Sequence, residues 1–390
     1  MGADVVVVGA GVIGAACALA AARAGLAVTV IDRGPIAGGT TGAGEGNILV
    51  SDRQPGPELE LTLLSMRCWH EVVDHVGLLC GRPGGGFEFE PKGSLVVAAT
   101  EAGMAGARQL AGAHRAAGVE AVDLEPDQLG DHEPHLAPGL AGGVLYPQDC
   151  QLQPMLATAR MLAAARFHGA TVRTGVEVIG MLRDGVRVVG VRTTGVDVPA
   201  GAVVNAAGTW AGDVAALAGV VLPVQPRRGV VLVTQPLPPL IRHKVYAAEY
   251  VADVASDLAG LASSPVVEGT PSGTVLIGAS RERVGFDPAI PMPVMRRLAE
   301  QAVRLFPVLG GARVIRAYRG FRPYSPDHLP LIGPDPRAPG LLHACGHEGA
   351  GIGLAAGTGE LIARALTGRP SGIDADPFRP DRFGAAWVGG

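Results

Sequence analysis

Apolar positions along the chain alternate between two regimes. Asp4–Val8 is a short apolar run of the kind expected of a parallel strand buried on both faces. Ile13–Ala24 is alanine-rich and helix-favouring, with Gly25 placed to cap its C-terminus. Leu26–Ile31 predicts a second, β-branched strand that ends at Asp32. Together these pieces form one β-α-β unit of about thirty residues, the usual minimum for such a crossover. A loop rich in Gly and Thr, Gly38–Gly46, follows. A helix is predicted over Glu58–His75, with Leu59, Leu63, Met66 and Val73 as apolar positions. Further helices are predicted over Glu101–Ala117, Pro154–Gly169, Val294–Phe306 and Gly353–Leu366. Gly81–Gly86 reads as a loop. Strands are predicted at Gly93–Ala98, Ala202–Ala206, Gly229–Thr234, Thr274–Gly278 and Leu341–Ala344. From Thr171 to Asp197 the pattern shortens to strands punctuated by Asp184-Gly185 and Thr194-Gly195. The alternation implies two interleaved domains, with the chain crossing between them more than once. No solenoid-type repeat is visible.

Composition narrows the class. The chain has 390 residues, 48 % apolar and 17 % charged, which marks a globular protein large enough for two or three domains. Its net charge is −4, with no broad basic field, so no nucleic-acid partner is expected. Basic charge is carried almost wholly by Arg; Lys92 and Lys244 are the only lysines. The cysteines Cys17, Cys68, Cys80, Cys150 and Cys345 are odd in number, widely spaced and without a C-x-x-C pair. That argues against a disulfide framework and against a zinc or iron–sulfur site, and it fits a reducing cytoplasm. The stretch from Val5 to Ile31 is apolar enough to suggest a membrane span or leader peptide. Gly9, Gly11, Gly14, Gly25 and Arg23 interrupt it, and Asp4 stands where a leader would place a basic residue.

The first turn carries chemistry. Gly9-x-Gly11-x-x-Gly14 follows a predicted strand and opens a predicted helix. The first glycine permits a tight turn, the second lets backbone approach a pyrophosphate, and the third lets helix and strand pack closely; the helix N-terminus favours the anion. Asp32 lies 18 residues after Gly14 at the end of the second strand, where a carboxylate can accept from ribose hydroxyls and disfavours a 2′-phosphate. The fingerprint predicts a bound dinucleotide and leaves FAD and NAD both open. The fold expected is α/β (α+β overall): a Rossmann-type cofactor domain from residues 1–80, 150–220 and 325–390, interleaved with a β-rich substrate domain from residues 81–149 and 221–324.

Five stretches in order bear on the cofactor. They are the fingerprint with Asp32; Thr40-Thr41-Gly42-Ala43-Gly44-Glu45-Gly46-Asn47-Ile48; Gly175–Val178 with Val203–Trp210; Pro226–Gly229 with Leu276–Glu282; and Tyr318–Pro323 with Asp327–Gly333 and Gly346–Leu354. In this order the chain resembles the D-amino-acid oxidase superfamily of FAD-dependent amine oxidoreductases, from Asp4 to about Phe383. That superfamily includes glycine and sarcosine oxidases, D-amino-acid and D-hydroxyproline dehydrogenases and opine oxidases. The Gly-Glu-Gly-Asn loop and the Gly346–Gly353 run look closest to the branch with opine oxidase, D-hydroxyproline dehydrogenase and hydrogen cyanide synthase.

The resemblance implies FAD, held non-covalently because no cysteine occurs around Tyr318–Arg322. It implies cofactor contacts from Gly9, Gly11, Val12, Ile13, Gly14, Asp32 and Arg33, then from the loop residues Thr40, Thr41, Gly44, Glu45, Gly46 and Asn47. Val178 matches the position whose backbone meets the adenine, and Ala207, Gly208 and Trp210 a turn near the adenosine. Gly346, Gly349 and Ala350 are further cofactor contacts, and Gly351, Ile352 and Gly353 match backbone that approaches the flavin pyrimidine at a helix N-terminus, where N–H groups stabilise negative charge. Arg322 matches the arginine that pairs with a substrate carboxylate, for which a guanidinium fork is suited. A second cationic contact found in some amino-acid oxidases falls here on Gly349. Tyr246 and Tyr250 are candidates for the active-site wall, with strand packing the favoured alternative. His347 is a candidate contact to flavin or substrate, equally readable as a structural histidine. For Glu45 a solvated loop charge is the favoured alternative to a place near the flavin.

The activity implied is oxidation of an amino acid or secondary amine, with oxygen, a quinone or a partner protein as electron acceptor and a homo- or hetero-oligomer possible. A flavin-holding subunit of a larger complex is the alternative. An NAD-dependent dehydrogenase is the weakest reading, because it gives the late glycine-rich run no role.

Overall fold

The computed structural model describes residues 2–248 and 259–384. Tyr250 lies outside the described residues. Among these residues the strands form two eight-stranded sheets and one small ribbon. The first sheet has the order β17-β18-β11-β1-β2-β8: Leu331–Pro334, Leu341–Cys345, Val198–Asn205, Ala3–Val8, Val28–Asp32 and Thr171–Thr174. All neighbours are parallel except β17 and β18. β10 (Arg187–Thr193) pairs antiparallel with β11 and with β9 (Val178–Asp184). The parallel centre reads as near-continuous apolar sequence because it is covered on both sides. Val5, Val7, Val28 and Val30 face a core shared with helix α1 (Val12–Arg23), while Val6, Val8 and Val203 face a second core.

The second sheet has the order β16-β12-β15-β14-β13-β4-β6-β5: Val314–Tyr324, Gln225–Thr234, Val275–Arg281, Ala262–Gly269, Lys244–Ala247, Ser94–Ala98, Gly142–Tyr146 and Val122–Leu124. Its two faces differ. Val230 and Leu232 of β12 and Val275 and Ile277 of β15 pack in one core with Val294, Leu298 and Ala302. Alternation by two then turns Gly229, Val231 and Gly278 to the opposite face. The small ribbon joins β3 (Asn47–Ile48) to β7 (Cys150–Gln151).

The remaining helices are α2 (Pro57–Cys80), α3 (Glu101–Ala116), α4 (Leu129–His132), α5 (Pro154–Phe167), α6 (Ala211–Ala216), α7 (Met292–Leu305) and α8 (Gly351–Thr367). None among the described residues is long and apolar enough to cross a membrane. Helix α2 runs past the predicted end at His75 and stops at Gly81, whose φ of 64° closes the last turn. Helix α8 starts at Gly351, two residues before the predicted start at Gly353. Its N-terminus is buttressed by α2: Ser65 Oγ donates to Gly353 O (2.6 Å) and accepts from Gly357 N (2.9 Å), and Trp69 Nε1 donates to Ile352 O (3.0 Å).

Two threonines tie the sheets together. Thr40 Oγ1 and Thr209 Oγ1 both donate to Phe321 O on β16, at 2.7 and 2.8 Å. The loop after β2 and the turn after β11 are therefore fixed against the second sheet where the two sheets meet.

Candidate cofactor and substrate site

A cavity of about 730 Å³ lies at this junction. That is the size of a site for a large organic ligand. Its wall begins at the first turn. Gly9 has φ 117°, and a Cβ there would stand 2.4 Å from Ala206 O; a Cβ on Gly14 would stand 1.9 Å from Gly9 O. Only glycine permits either approach. Gly14 thus closes the helix onto the strand and does not itself line the cavity. Gly11, Val12 and Ile13 do line it, and Thr41 Oγ1 accepts from Val12 N at 3.0 Å, which fixes the Thr40–Ala43 turn on the N-terminus of α1.

One end of the cavity is lined by Asp32, Arg33, Val178, Ala207, Gly208 and Trp210. The Asp32 carboxylate accepts from Ala10 N and Gly34 N, both at 2.7 Å, and so organises the two turns that flank it. Arg33 lies over the Trp210 ring, 4.9 Å from its centroid, and pairs with Glu177 at 3.3 Å.

The other end is lined by Gly44, Glu45, Gly46, Asn47, Gly229, Gly320, Arg322, His347, Glu348, Gly349, Gly351 and Ile352. Gly346, Ala350 and Gly353 stay behind this wall. Gly346 backs onto Leu331, Ala350 is buried, and Gly353 packs against the Asn47–Leu49 backbone. Arg322 Nη1 donates to Ser280 O at 2.8 Å, and its guanidinium lies directly over Gly229. Gly349, at the place of the expected second cation, sits against the Arg322 stem. The neighbouring Arg227 is fully buried and pairs with Glu348 at 2.5 Å, and His328 Nδ1 lies 2.8 Å from the other Glu348 oxygen. Burial opposes ionisation of Glu348, but the His328 hydrogen bond and the Arg227 charge hold it below the usual carboxylate range.

The structure places the two reactive candidates His347 and Tyr246. His347 lines the cavity, with Nε2 3.0 Å from Thr358 Oγ1. Burial pushes it down to about 3, so it is neutral and no acid–base group near neutral pH. Tyr246 is fully buried in β13, donates to Ser51 Oγ at 2.6 Å and does not line the cavity; packing, the favoured alternative, describes it. The expectation of a solvated Glu45 fails. Only 9 % of its side chain is exposed, because β13 and β15 cover the loop that carries it. Asn47 Nδ2 donates to Glu45 Oε2 (3.2 Å), and Lys244 Nζ stands 4.0 Å away.

These walls fit FAD. Glycine backbone lines the cavity where a diphosphate must pass, helix α1 presents its N-terminal amides there, and α8 presents another positive end beside the second sheet. Of the five cysteines only Cys345 lines the cavity, and burial pushes its thiol up to about 12, which leaves it unreactive. Glu348, Gly229 and Gly320 are wall residues that the sequence reading does not assign. The only signal for them was their place inside the matched stretches.

The fold and the glycine-lined cavity together define a dinucleotide-binding protein. Comparison with known proteins narrows this: residues 4–365 match the model of the FAD dependent oxidoreductase (DAO) family, and the chain belongs to that family. It is an FAD-dependent enzyme. Over 97 % of its length it is 31 % identical to hydrogen cyanide synthase subunit HcnC of Pseudomonas aeruginosa, covering 96 % of that protein. The crystal structure of glycine oxidase from Geobacillus kaustophilus superposes with a TM-score of 0.87 at 26 % identity, covering 99 % of both chains. L-proline dehydrogenase from P. horikoshii shares the fold, with a TM-score of 0.88 at 22 % identity over 98 % of both chains.

Proposed function

We propose that this chain oxidises the C–N bond of an amino acid or secondary amine and that Arg322 holds the substrate carboxylate. The carrying observation is the Arg322 guanidinium, laid over Gly229 beside the neutral backbone of Gly349. A planar fork in that place suits two parallel bonds to a carboxylate. Bound FAD supplies the acceptor for a hydride from the carbon that bears nitrogen, and the imine product then hydrolyses in water. The chain's own residues orient: Arg322 fixes one end of the substrate, and Gly229 of β12 and Gly320 of β16 leave room for the Arg322 guanidinium and for Ala43 of the cofactor loop. Glu348 on the wall is paired with the buried Arg227, and Arg322 is the guanidinium that lines this end of the cavity.

An anaerobic bleaching screen over D- and L-amino acids, N-methyl amino acids, hydroxyprolines and opines tests this. At least one is expected to bleach the flavin, and Arg322→Ala is expected to abolish bleaching at the same concentration with FAD retained. Unchanged bleaching in the variant removes the carboxylate assignment. The relative named as a subunit favours a second reading, in which the chain serves a larger dehydrogenase and passes electrons to a partner protein. Oxygen and a quinone are the other acceptors, and reoxidation rates with each distinguish the three.

A further inference from the structure

We propose that Glu45 is the anionic pole of the substrate site and receives the amino nitrogen of the substrate whose carboxylate Arg322 holds. This rests on the function proposed above and adds to it the recognition of the amine end.

Glu45 lines the cavity, yet nine-tenths of its side chain is buried. One oxygen is occupied: Oε2 accepts from Asn47 Nδ2 and faces Lys244 Nζ. The other, Oε1, is buried and has no hydrogen-bond partner among the described residues. A buried carboxylate oxygen without a donor is costly, and the cost is relieved by a ligand that brings one. Lys244 does not serve Glu45 alone. Its ammonium also stands 3.8 Å from Glu268, which is fully buried and accepts from Gln151 Nε2 at 3.1 Å. One ammonium thus faces two carboxyl groups, and Glu45 Oε1 is left to a donor from the cavity side.

The position of Oε1 suits an amino acid. A Cβ built on Gly278 would stand 2.1 Å from Glu45 Oε1, and a Cβ built on Gly229 would stand 2.1 Å from Arg322 Nη1. Each functional side chain therefore lies in a notch cleared by a glycine. Arg322 is anchored on Ser280 O, two residues along β15 from Gly278, so the two notches lie on neighbouring stretches of the same sheet. In an α-amino acid the nitrogen and the carboxylate carbon are about 2.5 Å apart. An α-amino acid is thus short enough to lie between two neighbouring notches with a hydrogen bond to each pole. The carboxylate only accepts and an ammonium only donates, so the pair also fixes which way round the substrate lies.

The test uses the FAD-loaded full chain under anaerobic conditions. The probes are glycine, sarcosine and D- and L-proline, each matched to an amine-free carboxylate: acetate, propionate and cyclopentanecarboxylate. The concentration dependence of bleaching gives the affinity of the amines, and perturbation of the flavin spectrum gives that of the carboxylates. Glu45→Gln is expected to weaken the amines about tenfold or more and to leave the carboxylates within about twofold. Glu45→Asp, which keeps the charge, is expected to fall between. Equal weakening of both sets, or no change in either, overturns the proposal. So does loss of FAD with an unchanged amine-to-carboxylate ratio, which would make Glu45 a cofactor contact. If Glu45→Gln does not fold, Gly278→Ala, whose methyl displaces Oε1, is read in the same way. Failure of every amine to bleach the wild-type protein overturns the proposed function itself, and that outcome is distinct from a wild type that bleaches and a variant that does not discriminate.

Discussion

At Gly229 an added methyl would stand 2.1 Å from Arg322 Nη1 and 2.7 Å from its Cζ. The guanidinium would have to leave its place over β12 and its bond to Ser280 O. Gly229→Ala is therefore expected to weaken carboxylate ligands about tenfold while FAD stays bound, because the added methyl meets Arg322 first. Titration of acetate against the flavin spectrum measures it, and an unchanged affinity would place the carboxylate elsewhere. The same scale shows what one sequence conceals. Arg322 stood in a matched run, so its candidacy was legible. Glu45 was not legible as a buried group, since its neighbours Lys244 and Gly278 lie about 200 residues further on and only the fold brings them over the loop. Lys244 is one of two lysines in a chain that otherwise uses Arg. A compact ammonium between two carboxylates is a place where Arg would not substitute simply.

At the scale of elements, the N-terminus of α8 is held by α2. Ser65 bridges Gly353 O and Gly357 N, and Trp69 donates to Ile352 O. Ser65→Ala removes the side-chain acceptor of Gly357 N and one of two donors to Gly353 O, which keeps Trp69 Nε1 at 3.1 Å, so the expected loss is about 1 kcal/mol. The expected result is a lower thermal midpoint together with a higher Kd for FAD, because the wall formed by Gly351 and Ile352 loosens. A stability loss without any change in FAD affinity would separate α8 from the cofactor. The β-α-β opening was legible because β1, α1 and β2 are continuous in sequence and carry their own pattern. Strand β16 was not. Its residues Val314–Tyr324 include Arg316, Arg319 and Arg322, and Gly320 interrupts them. No apolar alternation announces it, because one face meets the cavity and Val314 and Ile315 are exposed. Its pairing along the whole of β12 supplies what the pattern lacks.

For the whole molecule, stability is tied to a buried carboxyl that joins the two structural layers. Asp149 is fully buried; it accepts from Val50 N at 2.8 Å and from Ser94 Oγ at 2.5 Å, and from Ser51 Oγ, to which Tyr246 also donates. The loop after β3 is thereby fixed to β4 in the second sheet. Burial pushes Asp149 up to about 6, against the opposing pull of the Ser51, Ser94 and Val50 hydrogen bonds. An unfolded aspartate titrates near pH 4. Between about pH 4 and 6 the folded chain keeps a proton that the unfolded chain has released, so this group's contribution to stability falls as pH rises through that window. Its full effect is on the order of 3 kcal/mol. Asp149→Asn keeps an acceptor for Val50 N and offers an amide to the serines, but it cannot ionise. The difference in thermal midpoint between variant and wild type is therefore expected to grow in the variant's favour from pH 4.5 to pH 7 and to level off above. Other carboxylates titrate alike in both proteins and cancel in that difference. Parallel pH profiles would mean that Asp149 is ionised in the folded protein throughout, with its three donors outweighing burial.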